Sequence, residues 1–226
     1  MNICRKYWIA VLLLGTVMVH AQVNPQVLAK LAAASEHFRN AQADVSYDTY
    51  TRVVKQHDIE TGTTYIERGS GGESMGAIFV DAGSSIPSKI LNYSGGKLQL
   101  YTPGTKQVDV FNAGANQARY ESFLTLGFGG SVKDLQADWV VQDQGPETID
   151  GVKTEKLDLV GKEQSVKNMF SHVTLWVDID RGVSVKRVFY QPNGDMRTAV
   201  FSNIKLNGAI DKKPYAIDPK AKKVQH

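Results

Sequence analysis

From Ala43 onward, short runs rich in Val, Ile, Thr, Tyr and Phe alternate with clusters of Gly, Asn, Asp and Pro. Such runs are typical of β-strands, and the clusters supply the backbone angles that tight hairpin turns require. A sheet of about eleven strands curls rather than staying flat, so we expect an antiparallel barrel or half-barrel. The predicted strands are residues 43–60, 63–70, 73–82, 88–93, 97–102, 107–112, 138–144, 152–160, 171–179, 183–191 and 195–206.

The N-terminal segment has the composition of a secretory signal peptide. Arg5 and Lys6 precede an apolar run over residues 7–19, and residues 19–21 have the small-x-small form that signal peptidase recognises. The run is shorter than the roughly 20 residues that a membrane-spanning helix needs, so a membrane anchor is the weaker interpretation. We expect cleavage after Ala21 and an exported protein, most simply a periplasmic one.

The rest of the chain is predicted to form one domain, residues 22–226, because neither a Pro- or Ser-rich linker nor a shift in charge divides it. A formal net charge of +3 and the lack of a basic run with interleaved aromatics argue against nucleic-acid binding. Cys4 is the one cysteine and would leave with the signal, which excludes a disulfide framework. A basic tail that begins at Lys212 is expected to be a solvated terminus, with docking to a membrane partner as the alternative.

Two stretches are predicted to be helical. Asn24 and Pro25 form a helix start, and apolar residues then recur at spacings of three and four as far as Phe38. Between residues 113 and 137 the strand pattern stops, which predicts two short helices that act as a lid. The hinge of this lid is predicted to be glycine-rich, at Gly127, Gly129 and Gly130.

A sheet this wide has more apolar surface than one long and two short helices can cover, so we expect an apolar ligand to occupy the remainder. Each aromatic residue taken alone could be ordinary core. The residues predicted to line the cavity and its lid are Ile78, Phe79, Leu91, Leu98, Leu100, Phe123, Leu124, Leu126, Phe128, Trp176, Phe189 and Phe201.

Little in the sequence suggests catalysis. Residues 72–76 match the G-x-S-x-G nucleophile elbow around Ser74, but that motif needs a strand before the serine and a helix after it, whereas a turn and a strand are predicted here. The histidines lack the spacing that would direct two imidazoles at one metal, so neither a metal nor a cofactor is expected. Asp178 and Asp180 lie beside a predicted turn and are interpreted as structural.

The sequence resembles the outer-membrane lipoprotein carrier family, the LolA-like proteins. The resemblance rests on the exported signal, the opening helix and residues 90–103, 175–178 and 201–204. Residues 121–131 resemble a variant branch of that family. The similarity extends over nearly the whole mature chain.

The resemblance implies an unclosed antiparallel barrel of eleven strands with helices as a lid over a hydrophobic cavity. It implies a monomeric carrier of acylated lipoproteins between an inner-membrane ABC transporter and an outer-membrane acceptor, with no bond made or broken. In the family an arginine on an early strand holds the lid closed, and residues 65–68 match that stretch, so Arg68 is the predicted latch. The proline usual after that arginine is missing.

Two other functions remain open at this point. A domain of the same fold could bind or sense a lipid, a glycolipid or a lipoprotein signal instead of carrying lipoproteins. The more remote alternative, from a different class, is an esterase that uses Ser74.

Overall fold

The computed structural model describes residues 23–70, 72–81, 83–114, 117 and 126–226. The predicted signal, its cleavage site, and the lid residues Phe123 and Leu124 lie outside these residues. The described helices are α1 (Pro25–His37), α2 (Val132–Asp138) and α3 (Gln164–Met169), and a single 3-10 turn spans Lys213–Tyr215. None of the described helices combines the length and the apolar character that a membrane span requires.

Twelve strands among the described residues form one sheet in the order β12-β6-β5-β4-β3-β2-β1-β11-β10-β9-β8-β7. All neighbours are antiparallel except β12 and β6, which are parallel. The sheet is unclosed, so the predicted fold class is confirmed. The strands are β1 (Asn40–Thr51), β2 (Gln56–Gly69), β3 (Gly72–Asp81), β4 (Pro87–Ser94), β5 (Lys97–Thr102), β6 (Gln107–Asn112), β7 (Trp139–Ile149), β8 (Val152–Gly161), β9 (His172–Asp178), β10 (Val183–Tyr190), β11 (Met196–Leu206) and β12 (Lys222–Gln225).

The first hairpin differs from the prediction. A turn was expected at residues 60–62, but β2 continues through them and the chain reverses at residues 52–55. Lys55 supplies the left-handed residue of that turn, with φ of 52°. Gly62 serves a different purpose, since a Cβ there would overlap the carbonyl of Ile78 on β3. Its missing side chain therefore permits close approach of two strands.

Helix α1 begins where the sequence predicts. The Asn24 side chain accepts a hydrogen bond from the Gln26 N–H at 2.9 Å, and Pro25 is the first helical residue. Leu31 and Ser35 are its buried residues. Helix α2 is one of the two short helices expected between residues 113 and 137, whereas α3 was not predicted at all.

Side chains alternate between the two faces of each strand, and the face that carries α1 and Phe128 is termed the inner face. Two apolar clusters cover it. One lies mainly on β1, β2, β3, β4 and β11 and includes Ala43, Val45, Ile66, Ala77, Tyr93 and Phe201. The other joins β7–β10 to the helices and includes Leu31, Leu126, Leu157, Leu159, Val173, Leu175 and Phe189.

The basic tail packs on the opposite, outer face with its lysines exposed, so it is solvated as expected but is not a free terminus. Tyr215 and Ala221 are buried there against residues of β2, β4, β5 and β6, because the tail carries apolar side chains between its lysines. Lys212 forms an ion pair with Glu67 at 2.8 Å. The tail ends in β12, the twelfth strand that the sequence pattern did not show.

Candidate functional site

Residues 126–130, termed the glycine segment, lie on the inner face between the two apolar clusters. Phe128 is fully buried and packs edge-on against Phe201, with 4.8 Å between ring centroids. The carbonyl of Gly127 accepts a hydrogen bond from the Ser184 N–H at 2.6 Å, and Phe128 forms an isolated β-bridge with Val183. The segment is therefore attached to β10 through its backbone as well as by packing.

Arg68 connects the glycine segment to the end of α1. Its Nη1 donates to the carbonyl of Ser35 at 2.9 Å, and its Nη2 donates to the carbonyl of Gly129. Glu73, on the neighbouring strand, accepts from its Nε at 3.3 Å. The Ser35 hydroxyl also donates to the Gly129 carbonyl, at 2.7 Å. A single side chain on β2 thus joins a helix terminus to the segment predicted to be a lid hinge.

The three glycines of the predicted hinge have different environments. Gly127 and Gly129 have φ of 84° and 67°, which favours glycine. A Cβ on Gly127 would lie 2.6 Å from the Ser184 Cβ, and one on Gly129 would overlap the Phe38 ring. A Cβ on Gly130 would meet open space. The first two glycines are therefore required by close packing, whatever movement the segment undergoes.

Most of the predicted lining residues that are described share the inner face, at two levels of burial. Phe128 and Phe201 are buried in the first cluster, and Leu126 and Phe189 in the second. Four others are half-buried on β3, β4 and β5, namely Phe79, Leu91, Leu98 and Leu100. Leu100 shares their face because it pairs with Leu91.

Ile78 and Trp176, two of the predicted lining residues, lie on the outer face instead. Ile78 packs with the tail cluster, and Trp176 is buried with Val185 and Val188. Strand alternation explains both corrections, since each of their neighbours, Phe79 and Leu175, faces inward. Phe128, another of the predicted cavity and lid residues, is fully buried and so is not exposed to a ligand.

Arg187 is an inner-face residue that the sequence analysis missed. It is 8% exposed on β10, and its Nη1 donates to the carbonyl of Leu126 at 3.1 Å. Burial lowers the pKa of its guanidinium. The signal was present in the sequence, because Lys186 and Arg187 are adjacent in an apolar strand and alternation turns one of them inward.

A carboxyl pair lies where α1 begins. Asp143 accepts hydrogen bonds from the Gly145 N–H at 2.9 Å and from the Asn24 N–H at 3.2 Å. Burial raises the pKa of Asp143, but these hydrogen bonds and one from Glu155 outweigh burial and lower it. Burial and the negative charge of Asp143 raise the pKa of Glu155 to about 7. Glu155 is therefore the member of the pair that keeps its proton toward neutral pH, and Asp143 is the one that ionises first.

Ser74 and the histidines do not come together in the described structure. Ser74 lies inside β3 rather than at a strand-to-helix turn, and no histidine of the described residues is hydrogen-bonded to it. No group of three His, Cys, Asp or Glu side chains in the described part of the chain could hold a metal ion. A surface groove of about 440 Å³ lies away from the residues predicted to line the cavity. It is lined by Asn168, Met169, Phe170, Gln191, Pro192, Asn193 and Arg197.

These features define a class: an unclosed antiparallel sheet whose apolar inner face is partly covered by helices and by a hydrogen-bonded segment. Solved structures share this fold. An uncharacterised conserved protein from Thermus thermophilus aligns with a TM-score of 0.55 and 13% identity, over 89% of this chain and 98% of its own. MucB aligns with a TM-score of 0.53 and 14% identity, over 87% of this chain.

This chain spans 63% of the MucB chain. In the complex of Pseudomonas aeruginosa MucA and MucB the corresponding alignment has a TM-score of 0.50 and 14% identity, over 88% of this chain and 62% of that chain. A LolA superfamily protein from Nitrosomonas europaea aligns at 17% identity with a TM-score of 0.40, over 84% of this chain and 96% of its own. No protein-family model and no curated protein matches the sequence.

Proposed function

We propose that this protein is a periplasmic carrier that shields the acyl chains of lipoproteins between the inner and the outer membrane. The observation that carries the proposal is the uneven covering of the inner face. The apolar inner-face side chains of β8, β9 and β10 are buried in the cluster that includes the helices, whereas the apolar side chains Phe79, Leu91 and Leu98 remain half-buried. An acyl chain that covers them would gain about 0.8 kcal/mol for each methylene removed from water.

The contacts of the glycine segment suit a carrier because a carrier must also release its cargo. A cavity that bound an acyl chain without competition would hold it too tightly for transfer. If the segment opens on binding, the hydrogen bonds from Arg68 to Ser35 and Gly129 must be broken, and their loss subtracts from the net affinity. In this proposal Arg68 is the latch and Gly127, Gly129 and Gly130 form the hinge.

The partners in this proposal follow from the sequence resemblance: an ABC transporter that supplies the lipoprotein and an outer-membrane acceptor that takes it. A cleaved signal peptide would deliver the chain to the periplasm. The proposal includes no chemical reaction, in keeping with the position of Ser74 within a strand.

A second candidate is a binding or sensing module for a lipid, a glycolipid or a lipoprotein signal. It is favoured by the alignment with MucB, whose solved structures include a complex with MucA. Native mass spectrometry of the mature protein, purified from its own periplasm without detergent, distinguishes the two. We expect a co-purifying acylated lipoprotein. A free lipid or glycolipid would favour the sensing module.

A matched pair of variants tests the inner face directly. Leu91→Asp places a charge among the apolar inner-face side chains, and Asn92→Asp places the same charge on the outer face of the same strand. We expect Leu91→Asp to weaken capture of a diacylated peptide at least about tenfold, because a buried charge is costly, and Asn92→Asp to bind as the wild type does. Equal binding by all three proteins would contradict the proposed function.

A further inference from the structure

Arg187 is a buried cation in apolar surroundings. It lies on β10, where it pairs with Leu175 of β9 and Ala199 of β11, both of which belong to the inner-face clusters. Its guanidinium carbon is 5.0 Å from the Phe201 ring centroid and 5.6 Å from that of Phe189. The guanidinium therefore lies where the two apolar clusters meet.

The hydrogen bonds of this guanidinium are incomplete. An arginine side chain has five N–H donors, and in the described structure Arg187 uses Nη1 for the Leu126 carbonyl. Among the described residues, its buried Nε has no hydrogen-bond partner. No carboxylate of the described residues forms an ion pair with it, in contrast to Arg68, which has Glu73. An arginine stays charged even with a lowered pKa, because the ordinary pKa of a guanidinium lies far above neutral.

A charge buried without a counterion destabilises a fold, so its presence indicates that the site serves another purpose. The two aromatic rings stabilise it in part through cation–π attraction. Holding the Leu126 carbonyl explains one donor but not the Nε edge of the planar group, where the buried Nε has no partner among the described residues. That edge has the geometry that binds two oxygen atoms of a carboxylate or a phosphate.

We propose that Arg187 binds the anionic head group of the ligand, and that the preferred ligand is an acyl chain bearing a carboxylate or a phosphate. The inference rests on the acyl-binding part of the proposed function, because it assigns the apolar chain of the ligand to the half-buried inner face. An anionic head group of this kind belongs to a lipid, as in the second candidate function, and not to the acyl anchor of a lipoprotein. The head group lies against the Nε edge of Arg187, between Phe189 and Phe201.

A path for the acyl chain leads away from Arg187 along the inner face. The half-buried Tyr47 lies close enough to Arg187 to interact with its charge. The Tyr47 ring packs against Phe79, with centroids 6.3 Å apart, and Phe79 belongs with Leu91 to the same cluster. Tyr47 therefore joins the cationic site to the apolar surface that an acyl chain would cover.

Four probes with the same oleoyl chain test the head group. Oleate and its neutral methyl ester compare a carboxylate with an uncharged ester, and oleoyl lysophosphatidate and monooleoylglycerol make the same comparison for a phosphate. Each is titrated below its critical micelle concentration against the wild-type protein loaded with the neutral fluorophore aminoanthracene. We expect one or both anionic probes to bind at least about tenfold more tightly than the neutral counterpart, and the stronger of the two identifies the head group.

Three variants assign the preference to Arg187. Arg187→Met should remove the preference for the anionic probe and leave the affinity for methyl oleate within about twofold of wild type. Arg187→Lys should keep part of the preference, because the positive charge remains but the planar guanidinium is lost. Lys186→Met removes the same charge from the other face of the same strand and should change nothing. Circular dichroism establishes that each variant is folded.

The outcomes separate the two proposals. If the neutral and anionic probes bind equally to the wild-type protein, the head-group site is wrong and the acyl-binding function stands. If Arg187→Met keeps the preference, the site is wrong as well. If none of the four probes displaces the fluorophore, both proposals fail. The comparison of anionic and neutral probes uses the wild-type protein alone. It can therefore contradict the inference even if a variant does not fold.

Discussion

Two arginines donate to the carbonyl groups of the glycine segment, and their surroundings give them different energetic roles. The Arg68 side chain is 33% exposed and paired with Glu73, so its charge is solvated and compensated. Arg187 is buried and has no acidic partner in the described structure. We therefore expect removal of Arg68 to lower stability through lost hydrogen bonds. Removal of Arg187 loses a hydrogen bond too, but it offsets that loss by removing a desolvated charge.

Replacing Arg68 by methionine should release the glycine segment from α1. The two carbonyl contacts, to Ser35 and Gly129, predict a loss of about 1–3 kcal/mol in the free energy of unfolding, after allowance for partial exposure. Urea denaturation measures this loss, and hydrogen exchange should show faster exchange at residues 126–130. Arg181→Met is the control, since Arg181 donates to the Ile204 carbonyl at an exposed site. An equal loss in both variants would mean that Arg68 has no special role.

At the scale of elements, the glycine segment is shaped by its packing as much as by any need for movement. Gly129→Ala forces a Cβ into the Phe38 ring and a left-handed φ onto alanine. We expect a destabilisation of at least about 2 kcal/mol, measured by denaturation. Gly130→Ala meets open space and should be neutral or stabilising by a few tenths of a kcal/mol. If both alanine variants had the same stability, the close approach to Phe38 would be unimportant.

The start of α1 should respond to pH through Glu155. Its folded pKa of about 7 lies above its ordinary value of 4.5, so its contribution to stability is present below about pH 4.5 and is lost as the pH rises through 7. Asp143, whose pKa is lowered, contributes stability above its ordinary value of 3.8 and loses that contribution only as the pH falls below it. We expect Glu155→Gln to be more stable than the wild type at pH 8, because the amide donates to Asp143 without a charge.

Thermal melts at intervals between about pH 5 and 8 check this prediction. The difference in melting temperature between Glu155→Gln and the wild type should grow as the pH rises. Glu36→Gln, at an exposed position of α1, removes a carboxylate away from the pair and is the control. A difference that does not change with pH would show that Glu155 does not lose its proton in this range.

The elements that the sequence predicts well are those whose signals are local. Asn24 and Pro25 specify the start of α1, and Asp150-Gly151 marks a hairpin that has φ of 48° and 82°. The elements that it predicts poorly depend on distant contacts. The turn at Lys55 contains no glycine, and β12 becomes a strand because β6 offers it an unpaired edge. Helix α3 has six residues, too few for a helical spacing of apolar residues to be recognised in the sequence.

The candidate site shows the same division. An alternating strand pattern identifies which side chains can share a face, but it does not say which face a helix covers, and this is why Ile78 and Trp176 were assigned inward. Arg68 was singled out by a family resemblance, and its two carbonyl partners follow from the fold alone. Strand alternation could have placed Arg187 on the inner face, but only the tertiary structure shows that no carboxylate among the described residues pairs with its charge.

For the whole molecule, an unclosed sheet has two edges that must be protected from pairing with other chains. The tail protects one of them, since it crosses the outer face and adds β12 to β6 in parallel. Lys222 donates its N–H to the Lys106 carbonyl at 2.9 Å, and His226 donates to the Val110 carbonyl at 3.0 Å. His226 also stacks on Phe111, with 4.7 Å between ring centroids.

Because the N–H groups of Lys222 and His226 point to β6, alternation directs that of Val224 the same way and that of Lys223 outward. Proline lacks this donor, so Val224→Pro should release β12, lower the free energy of unfolding by about 1–3 kcal/mol and expose the β6 edge. Lys223→Pro loses no bond to β6 and should behave as the wild type. Size-exclusion chromatography with light scattering should then show concentration-dependent association for Val224→Pro alone. Association of neither variant, with both as stable as the wild type, would mean that β12 is dispensable and that another feature of the sheet keeps the chains apart.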